Sequence, residues 1–295
     1  MARLKEYNCH YCESEYEYAF IGFLEAEGWK YSSGNNIHRV TKRDVLIADD
    51  FKKFIADTNP DLTEDEVTQI YDNVRLVGAE SDFATLHKVY GWMVNGVQFT
   101  PQDGLPRMIP LIDFDNWDKN IFHVVNQFTV EYTNNGQKEN RRPDVLLFVN
   151  GMPLCVVELK NPADANATIY DAWEQINIRY WRDIPHLLHY CPLACISDGV
   201  KTRLGTVRTP YEHFYAWRRV TEGDAVSTLP FAETETMIKG VYSPERFLEI
   251  FRDYIYFQDS IYDSDEREIV CRYPQFFAAR LLKHSIIKSV VEKSG

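Results

Sequence analysis

The sequence lacks any apolar run long enough to cross a membrane. Stretches such as VLLFV at Val145–Val149 and PLCVV at Pro153–Val157 are far shorter than the roughly 20 residues that a transmembrane helix needs. The start, MARLKEYNCHYCESE, also lacks the apolar segment of a signal peptide. We therefore expect a cytoplasmic chain in which the six cysteines are reduced thiols. No internal repeat is present, which disfavours a solenoid.

The sequence also lacks an excess of basic residues. It has 32 Lys and Arg against 44 Asp and Glu, a net charge of −12. A free-standing, nonspecific nucleic-acid binder usually carries the opposite balance, because it must neutralise phosphates. Any role on nucleic acid must therefore be local, metal-assisted or helped by a basic partner. No G-x-x-x-x-G-K-[ST] phosphate loop occurs either, so nothing in these 295 residues predicts an ATPase.

The pattern of apolar residues predicts an α/β protein. Helical periodicity is found at Ser14–Glu27, Arg43–Ala56, Thr63–Val77, Thr168–Asp183, Ser243–Phe257 and Tyr273–Lys293. Strands are expected at VQFT from Val97, at IPLIDF from Ile109, along Phe122–Tyr132 and at Leu193–Ile196, with a polar loop at Thr133–Asn140. The order strand, helix, strand around Thr168–Asp183 implies a crossover connection. We therefore predict a central mixed β-sheet flanked by helices.

Two nearly continuous apolar runs flank Asn150-Gly151, the strongest short hairpin signal available. Asp144 begins the first predicted strand, and Glu158 and Lys160 end the second. A strict two-residue turn would place Asp144 opposite Val157 and turn Glu158 to the other face. We therefore predict an odd loop, Asn150-Gly151-Met152, or a β-bulge, either of which opposes Asp144 and Glu158 with β-carbons about 5 Å apart.

Two carboxylates at that separation repel each other unless a divalent cation lies between them. Hard oxygen ligands with retained waters suit Mg²⁺ or Mn²⁺. Lys160 could then orient an attacking water or stabilise negative charge on a phosphate. The alternative is a solvated strand end with surface ion pairs. A four-thiolate zinc site from Cys9, Cys12, Cys191 and Cys195 is disfavoured, because Cys195 lies in an apolar strand.

Pro143-Asp144 and Glu158-Leu159-Lys160, within RRPDVLLFVNGMPLCVVELKNP, closely resemble the PD-(D/E)xK nuclease motif of the restriction (R) subunit of type I restriction-modification enzymes. The N-terminal helix with Glu17 and the later segment ISDGVKTRLGT are similar to that subunit as well. The resemblance implies a restriction-endonuclease-like fold with a helical elaboration near the N-terminus. It implies Asp144, Glu158 and Lys160 as cleavage residues, and Asp144, Glu158 and Glu17 as ligands of Mg²⁺, with Mn²⁺ as substitute.

The family also carries a Q-x-x-x-Y motif on the helix after the last catalytic strand, whereas Gln175 and Tyr180 are five residues apart. On an α-helix five residues turn by about 140° net, so these side chains share a face only if the helix contains a bulge. We expect Tyr180 in the core. Candidate DNA contacts are a polar stripe on this helix and basic residues near the site: Gln175, Arg179, Arg182, Arg141, Arg142, Lys201 and Arg203.

The resemblance predicts a nuclease domain at residues 1–258, with the elaboration at about 35–90 and the catalytic core at about 96–220. Residues 259–295 would form a helical linker toward a motor domain. The implied function is that of a type I site-specific deoxyribonuclease, which hydrolyses phosphodiester bonds of double-stranded DNA by metal-activated water. Methylation (M) and specificity (S) subunits are implied partners, and ATP is implied only for the full-length subunit. Two alternatives stay open: a catalytically silent docking or DNA-guiding module, and an α/β enzyme acting on small phosphorylated substrates.

Overall fold

The computed structural model describes residues 13–78, 80–102, 104–161, 168–226, 232–258 and 266–294 and contains one large mixed sheet. The strands of these residues, numbered along the chain, are β1 Lys30–Ser33, β2 Val97–Phe99, β3 Arg107–Ile109, β4 Phe122–Asn126, β5 Val130–Asn134, β6 Gln137–Arg141, β7 Val145–Val149, β8 Met152–Leu159, β9 Leu193–Ser197, β10 Thr202–Thr206, β11 Ile255–Gln258 and β12 Arg267–Val270.

The central sheet has six strands in the order β1-β4-β7-β8-β9-β10. The pairs β1–β4 and β8–β9 are parallel, and the other neighbours are antiparallel. Strands β7 and β8 lie at its centre and are buried along their whole length, which explains their continuous apolar sequences. The predicted mixed sheet flanked by helices is confirmed. Three two-stranded hairpins, β2–β3, β5–β6 and β11–β12, lie outside it.

The helices flank the sheet and form the helical elaboration near the N-terminus. They are α1 Glu13–Ala26, α2 Ala48–Thr58, α3 Glu64–Arg75, α4 Asp82–Asn95, α5 Ile169–Glu174, α6 Trp181–Asp183, α7 Pro185–Leu188, α8 Ala232–Met237, α9 Pro244–Asp253 and α10 Tyr273–Ser294. Gly28 ends α1, since it takes a φ of 107° and donates its N–H to the Glu25 carbonyl. Thr63 and Glu66 form a capping box at the start of α3.

The helical elaboration packs on the turn between the two central strands. The Gly151 carbonyl accepts a hydrogen bond of 2.8 Å from the Ile47 N–H, just before α2. Gly151 has a φ of 76°, and a β-carbon there would lie 2.2 Å from the Ile47 oxygen. Only glycine therefore allows α2 to approach this closely. Helix α4 was not predicted, although Ser81 caps it by accepting a bond from the Ala84 N–H.

Several predicted boundaries were wrong. The run Phe122–Tyr132 is split at Gln127, where φ is 55°, and the second half turns away to form the β5–β6 hairpin from the predicted loop Thr133–Asn140. Of the strand predicted at IPLIDF, only Ile109 belongs to a strand, as the last residue of β3. The helix predicted at Ser243–Phe257 ends at Asp253, and β11 follows.

Strand β12 and the first turn of α10 pack against the rest of the structure, whereas α10 is exposed from Ala278 to Val291. Strand β12 pairs with β11, and Phe276 on α10 is fully buried against Trp217 at a ring-centroid distance of 5.4 Å. The predicted boundary at residue 258 therefore lies inside a hairpin. Among the described residues, no helix has the length and apolar character required to span a membrane.

Candidate active site

The central hairpin opposes Asp144 and Glu158 by means of a β-bulge. Val149 pairs with Met152, so the turn is a strict two-residue turn and the predicted three-residue loop is wrong. The register then shifts between Leu147 and Phe148, because β8 contains one extra residue there. Val145 consequently pairs with Val157. The bulge that was predicted as the alternative to the odd loop is confirmed.

The two carboxylates of this hairpin interact directly. Asp144 is half-buried, and its Oδ2 accepts a hydrogen bond of 2.8 Å from the Leu159 N–H, the residue after Glu158. Glu158 is 0% exposed. Burial, followed by the Asp144 carboxylate, raises the pKa of Glu158 well above its usual range, while Lys160 and Tyr180 act in the opposite direction. Burial and the second carboxylate thus disfavour the charged form of Glu158 more than Lys160 and Tyr180 favour it.

A π-helical turn brings the glutamine and the tyrosine together. Residues Gln175–Tyr180 form this turn between α5 and α6, and the i→i+5 spacing puts both side chains on one face. The Tyr180 hydroxyl donates to Glu158 Oε1 at 2.5 Å, and Gln175 Nε2 donates to Glu158 Oε2 at 2.6 Å. Tyr180 is buried, as predicted, but its hydroxyl belongs to the site. Burial and the Glu158 carboxylate raise the pKa of Tyr180, so it stays a donor.

Lys160 lies beside the carboxylate pair. Its Nζ donates to Gln175 Oε1 at 3.0 Å, so Gln175 contacts both Lys160 and Glu158. Its backbone N–H donates to the Ser197 carbonyl on β9 at 2.8 Å. The side chain is only half-buried. The structure therefore brings Asp144, Glu158 and Lys160 to one end of the central strands.

Glu17 is the third acid predicted for this site, and α1 buries it to 5% exposure. Asn126 Nδ2 donates to its Oε1 at 2.6 Å, and Gln127 Nε2 donates to its Oε2 at 2.9 Å. Neither amide was predicted to belong to the site. The available signal was the polar pair Asn-Gln interrupting the apolar run FHVVNQF. The Gln127 N–H also donates to the Asp144 carbonyl at 3.3 Å, which connects the two acids through one residue.

The site fits a divalent cation held by few protein ligands. Within the described ranges, no three or more His, Cys, Asp or Glu side chains are grouped so as to hold a metal. Mg²⁺ does not need such a group, because it usually binds one or two carboxylates and keeps several waters. The mutual repulsion of Asp144 and Glu158 is the property that a cation would relieve.

Most candidate DNA contacts lie outside this group. Gln175 faces Glu158, because the π turn rotates it inward, and so the predicted stripe with Arg179 and Arg182 does not form. The two arginines are exposed and pair with Glu174 and Asp183 at 2.7 Å each.

Arg141 ends β6 rather than preceding Asp144 on the same strand, and it binds Asp183 at 2.6 Å. Arg142 and Lys201 are exposed. Arg203 is half-buried on β10, opposite Ile196, which in turn is opposite Glu158. Arg203 therefore shares the sheet face of Glu158, about 10 Å away across two strand spacings.

The cysteines that the structure describes do not form a metal site. Cys191 and Cys195 are fully buried free thiols whose pKa is raised by burial. Cys9 and Cys12 lie outside the described residues.

Comparison with known proteins gives consistent matches. A family model for the N terminus of the type I restriction enzyme R protein matches residues 11–213. The MjaIXP endonuclease subunit of a type I restriction enzyme from Methanocaldococcus jannaschii is 30% identical over 300 residues, 93% of this chain and 28% of the relative. The HindI endonuclease subunit from Haemophilus influenzae is 29% identical over 297 residues, 95% of this chain and 27% of the relative. The chain thus spans under a third of the length of these relatives.

Proposed function

Since the chain belongs to the family of the type I restriction enzyme R protein N terminus, we propose that it is a Mg²⁺-dependent DNA endonuclease domain that hydrolyses phosphodiester bonds by metal-activated water. The observation that supports this proposal is the position of Asp144 opposite the fully buried Glu158 across the bulged hairpin, with Asp144 bound to the backbone N–H of the next residue, Leu159. Burying a carboxylate beside another is unfavourable, even where neutral donors bind it. Such a pair is more simply explained as a cation site than as a structural element.

The side chains around the pair have separate roles. Asp144 and Glu158 are the proposed ligands, and Glu17 completes the acidic surroundings. Tyr180 and Gln175 each bind one oxygen of Glu158 and so fix its orientation. Lys160, held at Gln175, provides a half-exposed positive charge that can stabilise charge developing on a phosphate.

DNA is the proposed substrate, and the remainder of a longer subunit is proposed to supply most of the affinity for it. The net charge of −12 argues against tight binding by these residues alone. Arg142, Lys201 and Arg203 are the basic residues best placed to contact the phosphate backbone near the site. An ATP-driven motor and the M and S subunits belong to the proposal for the full-length protein.

Calorimetric titration of Mn²⁺ into the protein tests the proposal, and it does not require the motor domain of the full-length subunit. The native protein should bind Mn²⁺, and Asp144→Asn should abolish binding while the fold is retained. Asp198→Asn is the matched control, since Asp198 accepts backbone N–H bonds in an exposed turn. Equal Mn²⁺ binding by the native protein and Asp144→Asn would contradict the proposal and favour a catalytically silent docking module.

A further inference from the structure

The end of β4 carries two buried or half-buried amides that contact the acid on α1. Asn126 is 2% exposed, and it holds one oxygen of Glu17, while Gln127 holds the other. Asn126 is itself fixed, because its Oδ1 accepts a bond of 3.1 Å from the Tyr31 hydroxyl. The Glu17 carboxylate is thereby oriented from both sides by residues of another element.

Gln127 has a backbone conformation that glutamine seldom adopts. Its φ of 55° lies in the left-handed region, which is unfavourable for most residues with a β-carbon. Such strain persists where surrounding interactions impose it, and it occurs often at functional sites. At this position the conformation lets one residue donate its side chain to Glu17 and its backbone N–H to the Asp144 carbonyl.

We propose that Gln127, assisted by Asn126, is a positioning residue that holds Glu17 as a hydrogen-bond acceptor for the water shell of the cation at Asp144 and Glu158. This inference rests on the proposed function. In this role Glu17 contacts water bound to the cation rather than the cation itself. This agrees with the finding that, among the described residues, no three carboxylates are grouped closely enough to hold one metal ion.

The test measures Mn²⁺ affinity by calorimetry in single and double variants. Gln127→Asn keeps a residue that tolerates the left-handed conformation, but its side chain is one methylene too short to reach Glu17 as before. We expect Mn²⁺ to bind about 10–100-fold more weakly, the usual effect of removing a residue that orients a ligand. Gln127→Gly serves as the second variant, because glycine fits this φ without a side chain. Circular dichroism verifies that each variant is folded.

A double-mutant cycle with Glu17→Gln separates positioning from a general structural effect. If Gln127 acts through Glu17, adding Gln127→Asn to Glu17→Gln should weaken Mn²⁺ binding no further. Asn135→Gly is the matched control. Asn135 has a similar φ of 48° in the exposed β5–β6 turn, and its replacement should leave the Mn²⁺ affinity unchanged.

Two results would overturn the inference: native affinity in both Gln127 variants, or an equal loss of affinity from Gln127→Asn with and without Glu17→Gln. In both cases the proposed function would stand, provided that Asp144→Asn still abolishes binding. If the native protein bound no Mn²⁺, the proposed function would fail first, and the inference would fail with it.

Discussion

Asp144→Asn should make the metal-free protein more stable while removing its response to metal. The asparagine oxygen can still accept the bond from the Leu159 N–H that Asp144 Oδ2 accepts at 2.8 Å. Its amide can donate to Glu158, where the native protein has a second carboxylate. The substitution therefore replaces a repulsive contact by a hydrogen bond to a charged group, at nearly constant volume.

The expected gain follows from the strength of such a bond. Hydrogen bonds to charged groups contribute about 1.5–3 kcal/mol, and the half-buried position of Asp144 favours the lower end of that range. At about 2 °C per kcal/mol for a chain of this size, the unfolding temperature in chelator should rise by roughly 3 °C. Mn²⁺ at 100 times its Kd should stabilise the native protein by about 2.7 kcal/mol, or roughly 5 °C, and should not stabilise the variant.

Thermal unfolding followed by circular dichroism, in EDTA and in Mn²⁺, measures both effects. We expect the order of stability to depend on the metal: the variant unfolds at a higher temperature in EDTA, and its advantage shrinks or reverses in Mn²⁺. The control Asp198→Asn should lie within about 0.5 kcal/mol of the native protein in both conditions. A variant that is less stable than the native protein in EDTA, or that gains as much from Mn²⁺, would refute the reasoning.

Three further predictions concern the same structure. Tyr180→Phe removes the 2.5 Å bond to Glu158 and should weaken Mn²⁺ binding about tenfold, measured by calorimetry. Because the pKa of Glu158 is raised in the folded protein, the native protein should lose stability as the pH rises above about 4.3, the pKa of an unperturbed glutamate, since the unfolded chain then releases a proton that the folded protein retains. Removing the Asp144 carboxylate lessens this loss, so the stability advantage of Asp144→Asn in chelator should increase with pH, and a constant difference between pH 4 and 8 would contradict this. Gly151→Ala should destabilise the fold by at least about 1–3 kcal/mol, because its β-carbon would lie 2.2 Å from the Ile47 oxygen; denaturant unfolding tests this.

The central hairpin was predictable because its signals are local. Continuous apolar runs on both sides of Asn150-Gly151 indicate two buried central strands. With a two-residue turn, Asp144 and Glu158 can lie opposite each other only if β8 contains one extra residue. The structure contains this residue as a bulge in β8. The sequence does not specify where the extra residue lies, because every position from Met152 to Val157 is apolar and buried.

The parts of the site that were not predicted depend on contacts distant in sequence. The π turn at Gln175–Tyr180 replaces a regular helix whose periodicity looked ordinary, and the side chains of that turn bind Glu158 on another element. The amides of Asn126 and Gln127 bind a carboxylate more than 100 residues away. Local propensity contains no information about such partners. The sequence likewise gives no sign that Arg141 lies at the end of the separate β5–β6 hairpin and binds Asp183.

The most direct measurement is the anomalous scattering of Mn²⁺ in a crystal of the native protein soaked with the metal. We predict a single strong peak between Asp144 and Glu158, lost in Asp144→Asn, with Glu17 within hydrogen-bond distance of a water bound to the metal. A peak at a different place, or no peak at Mn²⁺ concentrations well above those used in calorimetry, would contradict the claim that these two carboxylates form a cation site.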